Sequence, residues 1–423
     1  MDDLVVKSAS AGQPRDTEPM PQQLDRFPQL VARYAERLHL ALSPGHQVAS
    51  PLGAWLVLAL AAPAATGSVR ATLEDVLGEP AQAAAARAGR LLAEPHPAVA
   101  AAAALWTRAD QRTPALQAWE SGLADVVERG AVPSQEGANA WAADRTGGLI
   151  DEFPIQVDAR TLLVLASALA TDVSWGTPFD TVPAAELGAD SPWAGRVTTA
   201  LRAPSIHRCF LALTRDAGTV AVHAADSADD DPLVVVSVIA APDVAPPAVL
   251  AAAHRIASDH VAGLAPRLSL FDLPLGEGHA WTITEEPTQT HARDGREERF
   301  AATLPAWSAR STHDLLRDPR TGFAEAAAAL VPLLPPQPEG FAVEAVQSAM
   351  AAYSRVGFKA AAVTALGIRL AGMPPAPRPG LLRRAALRFG RPYAVVAVAQ
   401  QRRRGPWHGV PVFSAWVAEP SEA

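Results

Sequence analysis

Nucleophilic, acid–base and metal chemistry need particular side chains at particular spacings, and this sequence holds few candidates. Among its 11 histidines, His254 and His260 lie six apart, which on a helix puts them on different faces. "STHDLL" sets Ser311 and Thr312 beside His313 and Asp314. Those groups are neighbours in sequence and do not face one another across a site, so a helix N-cap explains them better. "DSADDD", Asp226 to Asp231, concentrates carboxylates but lacks the spacing and glycine of a calcium loop, and reads as a solvated acidic loop. Cys209 is the single cysteine, so neither an intrachain disulfide nor a multi-cysteine metal site is possible. Its expected role is a buried thiol. The sequence has no Gly-rich phosphate loop, no G-x-S-x-G and no H-E-x-x-H. An enzyme is therefore not expected, and neither a metal nor another cofactor is implied.

One segment carries a different kind of chemistry, that of backbone pairing. "RVGFKAAAVTALGIRLAGMPPAPRP" runs from Arg355 to Pro379. Read with period two, Phe358, Ala360, Ala362, Thr364, Leu366, Ile368 and Leu370 share one face. Lys359, Ala361, Val363, Ala365, Gly367, Arg369 and Ala371 share the other. One face is apolar or small and both charges lie opposite, as in a strand with one buried side. Gly357, Gly367 and the prolines between 374 and 379 argue against an ordinary resident strand.

The surrounding elements suggest what could receive it. "LDRFPQLVARYAERLHLAL" has helical spacing. Ser50 and Pro51 open a helix that is apolar on nearly all sides and so should be buried. An amphipathic helix through Leu73, Val76 and Leu77 follows, and "ANAWAADRTGGLIDEF" reads as a helix stopped at Gly147-Gly148. "TLLVLASALATDVSW" and "PLVVVSVIAAP" are continuous apolar runs, expected of strands buried on both faces. A strand is expected around Trp106 and another, interrupted by proline, in "RFAATLPAWSARSTHDL". "YAVVAVAQ" and "VPVFSAWVAEP" form a closing hairpin around "QRRRGPWHG". Helices dominate the first third and strands the rest, without an internal repeat, which predicts one α+β domain with large antiparallel or mixed sheets.

Composition agrees with a folded core. The chain has 423 residues, 49% hydrophobic and 19% charged, with a net charge of −8. That balance excludes wholesale disorder and a general nucleic-acid binder. Arginines at 378, 383, 384, 388, 391 and 402–404 occupy a window without acids. A salt-bridged surface is the plain reading and a polyanion site the sharper one. Residues 1–22 read as a disordered tail without a secretory signal. The most apolar run, Leu52 to Ala62, is too short to span a bilayer. No membrane or nucleic-acid partner is expected. A cytoplasmic monomer is, with export by a non-signal route left open.

Six segments, in order, resemble the serpin family, whose members are mostly suicide inhibitors of serine proteases. "VASPLGAWLVLALAAPAATGSVRATLEDVLG" resembles the segment leading into the family's buried central helix. "ANAWAADRTGGLIDEF" is similar to its N-x-W-x-x-x-x-T-x-G-x-I element, at Asn139, Trp141, Thr146, Gly148 and Ile150. "LVLASALATDVSWGTPFD" resembles its strand ending in Trp then Pro-Phe, here Trp175, Pro178 and Phe179. "TLPAWSARSTHDL", "FGRPYAVVAVAQ" and "GVPVFSAWVAEP" resemble its LPKF strand and closing hairpin. The resemblance runs from Leu24 to Pro420, nearly the whole chain.

It implies a single serpin-type α+β domain over 23–423, with three β-sheets, about eight or nine helices and an exposed C-terminal reactive centre loop. It places that loop at about 357–388, with Gly357, Phe358, Lys359, Ala360, Ala361, Ala362, Val363 and Thr364 as its hinge. It puts Ser50, Ser167, Trp175 and Gln347 in the sheet-opening region, with Gly53 beside them. Counting from the hinge sets the reactive bond at Ala371–Gly372, which suits elastase-like or subtilisin-like targets. A slip of one or two residues makes it Leu370 or Arg369, for chymotrypsin-like or trypsin-like proteases. The implied activity is suicide inhibition of serine, or cysteine, endopeptidases; a non-inhibitory binding protein is the alternative. Several positions depart from the family: Phe358 for Thr or Ser, Arg355 for Glu, Ser167 for Asn, Gln347 for His and Gly53 for Ser. Phe358 would be the first side chain to insert, apolar enough for a sheet but bulky.

Overall fold

The computed structural model describes residues 26–42, 45–336, 342–358, 378–401 and 405–423. Residues 1–22, the expected hinge residues Lys359, Ala360, Ala361, Ala362, Val363 and Thr364, and the expected reactive bond Ala371–Gly372 lie outside the described residues.

α1 (Phe27–Ala41) turns Phe27, Val31, Tyr34 and Leu38 into the core. After the short β1 (Gln47–Ala49), α2 (Pro51–Ala61) begins at Ser50, whose Oγ accepts from Gly53 N. With Leu52, Trp55, Leu56, Leu58 and Leu60 all buried, α2 is the axis around which the domain packs. α3 (Gly67–Leu77) stops at Gly78, whose φ of 76° is left-handed and suits glycine. The alanines of α4 (Ala81–Ala93) allow close approach: a Cβ at Gly89 would sit 2.7 Å from Ala124. β2 (Ala100–Thr107), α5 (Pro114–Ser121), β3 (Glu128–Gly130) and α6 (Gln135–Arg145) complete the first third.

β4 (Leu163–Ala170) and β5 (Val173–Ser174) follow, then β6 (Asp180–Pro183), β7 (Thr199–Arg202), β8 (Arg208–Thr214), β9 (Gly218–Asp226), β10 (Leu233–Ile239) and α7 (Pro246–Val261). The last part holds β11 (Gly276–Glu277), β12 (Trp281–Thr290), β13 (Arg296–Leu304), β14 (Trp307–Asp314), α8 (Phe323–Leu330), β15 (Val346–Tyr353), β16 (Gly357–Phe358), β17 (Arg378–Arg388), β18 (Tyr393–Ala399) and β19 (Pro411–Val417). No helix among the described residues is long and apolar enough to cross a membrane.

One six-stranded antiparallel sheet has the order β1-β19-β18-β10-β9-β8. Its β9, β10 and β18 pack Val222, Val236 and Val396 against Val249, Ala253 and Ile256 of α7. The expected closing hairpin is β18–β19. A second six-stranded sheet, β11-β12-β17-β13-β7-β6, is mixed, with β13 and β17 parallel. The other strands form three shorter ladders, β3-β2-β4, β14-β15 and β5-β16. The architecture is α+β, as expected, with eight α-helices among the described residues.

Three sequence expectations are corrected. Arg378–Arg388 is strand β17 inside a sheet, so the reactive loop does not extend to 388. The strand is stable there because Leu382, Ala385 and Leu387 are buried while the arginines find acids on neighbouring strands. Arg383 pairs with Glu285 at 2.8 Å, Arg384 with Glu286 at 2.9 Å and Arg388 with Glu277 at 2.6 Å. Those acids are distant in sequence, so the local window looks unpaired. The loop's start is also changed, since Gly357–Phe358 is strand β16. Finally, Ser311 to Asp314 end strand β14 and cap no helix: β15 and β1 engage them from far along the chain.

Candidate functional site

The three short ladders enclose a gap. β4 is hydrogen-bonded to β2 along one edge, and β15 to β14 along one edge. Between β4 and β15 themselves no ladder forms among the described residues. A cavity of about 720 Å³ occupies the interval. Ser50, Gly53 and Val57 on the α2 side line it, as do Trp141 and Thr146 near α6. Both strands therefore present an unused edge to the same space, which is the requirement for accepting another strand.

The gap closes at one end through the hinge. After Tyr353 the chain reverses at Ser354, whose N and Oγ both donate to Gly357 O, at 3.0 and 3.1 Å. Gly357 then pairs antiparallel with Ser174, and Phe358 with Val173. Phe358 is only 3% exposed and its ring lies 6.3 Å from that of Trp307. The sequence expectation that Gly357 and Phe358 belong to an exposed hinge is thus corrected. The ring is too apolar to leave in water when a buried aromatic site lies one turn away.

Trp175 fixes this turn. Its indole N–H donates to Ser354 O at 2.9 Å and its backbone N–H to Val356 O at 3.0 Å. Phe179 N donates to Arg355 O at 2.9 Å. The Trp175 ring, 1% exposed, packs on Tyr353 at 4.9 Å and Phe179 at 6.0 Å. Arg355 contributes a main-chain carbonyl here, which any residue could supply.

The other three expected sheet-opening residues meet further down the gap, eight residues from Trp175 along the chain at Ser167. Gln347, on β15, donates from Nε2 to Ser50 O and accepts at Oε1 from Ser50 N, both at 2.9 Å. Ser167, on β4, donates to Gly53 O at 2.8 Å. Ser50 Oγ donates to Val412 O at 2.9 Å while accepting from Gly53 N at 3.1 Å. Each rim of the gap is thus tethered to the first turn of α2, and neither tether crosses to the other rim. A side chain at Gly53 would crowd this arrangement, its Cβ lying 3.1 Å from Ser50 Oγ and 3.3 Å from Leu169.

Sequence reading misassigned His313 and missed a histidine pair. His313 reaches Val48 O through Nε2 at 2.8 Å; a carbonyl can only accept, so the ring is protonated at Nε2. Burial keeps it neutral by lowering its pKa. Ser311 Oγ accepts from Val48 N at 3.1 Å, so neither side chain is part of a triad. Near the hinge turn lies a pair, the half-buried His207 and the fully buried His223. The partner of His313 comes from a strand 265 residues away, and the histidine pair forms where the chain enters β8 beside the adjacent strand β9. Burial pushes the Cys209 thiol up to about 12, which leaves it inert. Among the described residues, no group of three or more His, Cys, Asp or Glu could hold a metal.

Comparison with known proteins bears on this arrangement. Residues 30–186 match the family model "Serpin (serine protease inhibitor)". None of the curated protein sequences compared with the chain matches it. Among solved structures, the native state of tengpin, a thermophilic serpin, is similar with a TM-score of 0.63 at 15% identity, over 94% of this chain and 95% of that one. Serpin48, a highly specific serpin of the insect Tenebrio molitor, is similar with a TM-score of 0.58 at 14% identity, over 95% and 100%. Thyroxine-binding globulin in complex with thyroxine gives 0.58 at 14%, over 94% and 100%. At such identities the structural likeness establishes the fold.

Proposed function

We propose that the chain, whose residues 30–186 match the serpin family model, is a divergent serpin and a suicide inhibitor of serine endopeptidases whose cleaved loop fills the gap between β4 and β15. The observation that carries this reading is the register already begun at the hinge. Phe358 lies opposite Val173 on one side, and the Ser354–Gly357 reversal sets the pairing toward β15 on the other. Continuing both registers brings one residue, Thr364, opposite Ser167 and Gln347 together. Its hydroxyl would meet the polar cluster at the first turn of α2.

The alternation fits the same register. In that register, side chains on the face of Phe358 would point toward α2. Ala362 would lie opposite Leu169, Leu366 opposite Leu165 and Ile368 opposite Leu163. Leu163, Leu165 and Leu169 belong to, or pack against, the main core. On the other face, Ala365 and Gly367 would lie opposite Ala166 and Val164, which pack in a cluster with Ala138 and Ala142 of α6. Small residues are what that covered face can admit. β4 begins at Leu163, so the pairing ends near Ile368, three residues before Ala371.

The mechanism follows the family's. The protease serine attacks the Ala371 carbonyl, the peptide bond to Gly372 breaks, and the new amine leaves with the C-terminal fragment. The acylated segment then inserts along the two open edges, carrying the enzyme with it before water hydrolyses the ester. Mixing with elastase-, subtilisin- and trypsin-like proteases tests the proposal. The expected result is an SDS-stable complex with an elastase-like or subtilisin-like enzyme, and a new N-terminus at Gly372. Turnover of the loop by every protease, with no stable complex, would overturn it.

A second reading, a non-inhibitory binding protein, is favoured by one observation. A cavity of about 720 Å³ lies within the range of small-molecule sites, and one structural relative binds thyroxine. It predicts stabilisation by a ligand and none by cleavage.

A further inference from the structure

Beside the hinge turn sits a histidine pair that strand insertion does not use. His207 precedes β8 and His223 lies within β9. His207 Nε2 is 2.9 Å from Thr177 O. Since a carbonyl only accepts, that nitrogen carries the His207 proton. His207 Nδ1 is then an acceptor, and His223 Nε2, 3.1 Å away, must donate to it. This fixes both tautomers. It leaves His223 Nδ1 as a bare lone pair in a side chain that is 0% exposed, without a partner.

The pair is mechanically connected to the hinge. Phe179 packs its ring at 4.8 Å from His207 and 5.4 Å from His223. Its own N–H holds Arg355 O, and Trp175, two residues before Thr177, holds Ser354 O and Val356 O. Residues 175–179 therefore lie between the histidines and the turn, bonded to both. The groups around the pair cannot absorb a positive charge well. Cys209 of β8 and Ser237 of β10 stand opposite His223, and Tyr353 of β15 packs on Phe179. Asp226, at the end of β9, is the one charged group that favours a proton on His207.

We propose that the His207–His223 pair is an acid-sensitive latch, which holds residues 175–179 against the hinge turn while neutral and releases the turn when protonated. A proton on His207 Nδ1 removes the acceptor that His223 uses, and a second proton sets two cations 3.1 Å apart, one of them on the fully buried His223. Burial holds both rings below the usual histidine value. The contribution of the neutral pair is therefore complete above about pH 6.5 and is lost as pH falls toward the lower folded values. If the gap is the path of insertion, acid would admit the loop more readily.

Hydrogen exchange on the intact protein tests the latch independently of any inhibitory activity. The readouts are the amides of Trp175, Phe179 and Ser354, after correction for intrinsic exchange. Moving from about pH 7.5 to about pH 5 should cut their protection at least about tenfold, with β9 and β10 unchanged. The double variant His207→Gln with His223→Gln keeps donors and acceptors but does not titrate, and its protection should not vary with pH. If it fails to fold, His207→Gln alone must shift the transition midpoint by at least about half a pH unit. Constant protection in the wild type, a loss spread evenly over all sheets, or an unmoved midpoint would overturn the proposal.

Discussion

Replacing Phe358 with aspartate should abolish the stabilisation that follows loop cleavage while leaving the uncut protein folded. In the intact chain Phe358 is buried near Trp307 and paired with Val173. Losing that contact removes roughly 1.5–3 kcal/mol of apolar burial. The aspartate can then swing outward with the hinge, so the uncut protein should melt only modestly lower. After cleavage the inserted strand has no such freedom. Its first residue must occupy the buried position, where an unpaired carboxylate costs several kcal/mol. The variant should therefore be cut by its target as a substrate, form no SDS-stable complex, and show little rise in melting temperature. Lys359→Asp, on the opposite face by alternation, is the control and should behave like the wild type. Equal thermal gain in the two variants would contradict the register proposed for the loop.

The second large effect is expected at Trp175. Trp175→Ala should lower the stability of the uncut protein by about 3–5 kcal/mol, read from urea unfolding. The ring is 1% exposed between Tyr353 and Phe179, and its removal leaves a cavity that rigid strands cannot close. Truncation also strips Ser354 O of the indole N–H that satisfies it. Trp175→Phe separates the two contributions, since most of the packing is retained and the hydrogen bond alone is lost, for about 1 kcal/mol. A loss under about 1 kcal/mol for the alanine variant would show that Trp175 does not hold the hinge turn.

Local chemistry made much of the fold legible. Ser50-Pro51 before an all-apolar run specifies the start of buried α2, and Gly147-Gly148, at φ of 60° and 79°, stops α6. The apolar runs ending in Trp175 and around Val235 are strands, as is the closing hairpin. Less legible was anything decided by remote partners. β17 looks like an arginine-rich loop until Glu277, Glu285 and Glu286 are set beside it. Ser311 and His313 look like a cap until β1 is placed next to them. The grouping of Ser50, Ser167 and Gln347 depends on bonds spanning 114 and 297 residues, which only the family resemblance could suggest. Trp175 belongs to the same gap but to its closed end, a separation that the grouping did not resolve.

The seat of Phe358 changes the energetic argument as well. Its burial is already present before cleavage, so it cannot contribute to the gain on insertion. That gain must come from Leu366 and Ile368, from hydrogen bonds along two unused edges, and from filling the cavity between α2 and α6. In return, the bulk of Phe358 no longer delays the first step, because the ring has already passed the Trp175 turn.

The central claim, that the β4–β15 gap is built to take the chain's own loop, is tested most directly by limited proteolysis between Ala365 and Pro379 followed by thermal melting. A large rise in melting temperature relative to the uncut protein is the predicted result, with the cleaved chain protected along both β4 and β15. An unchanged or lower melting temperature in a protein cut at that place would contradict it.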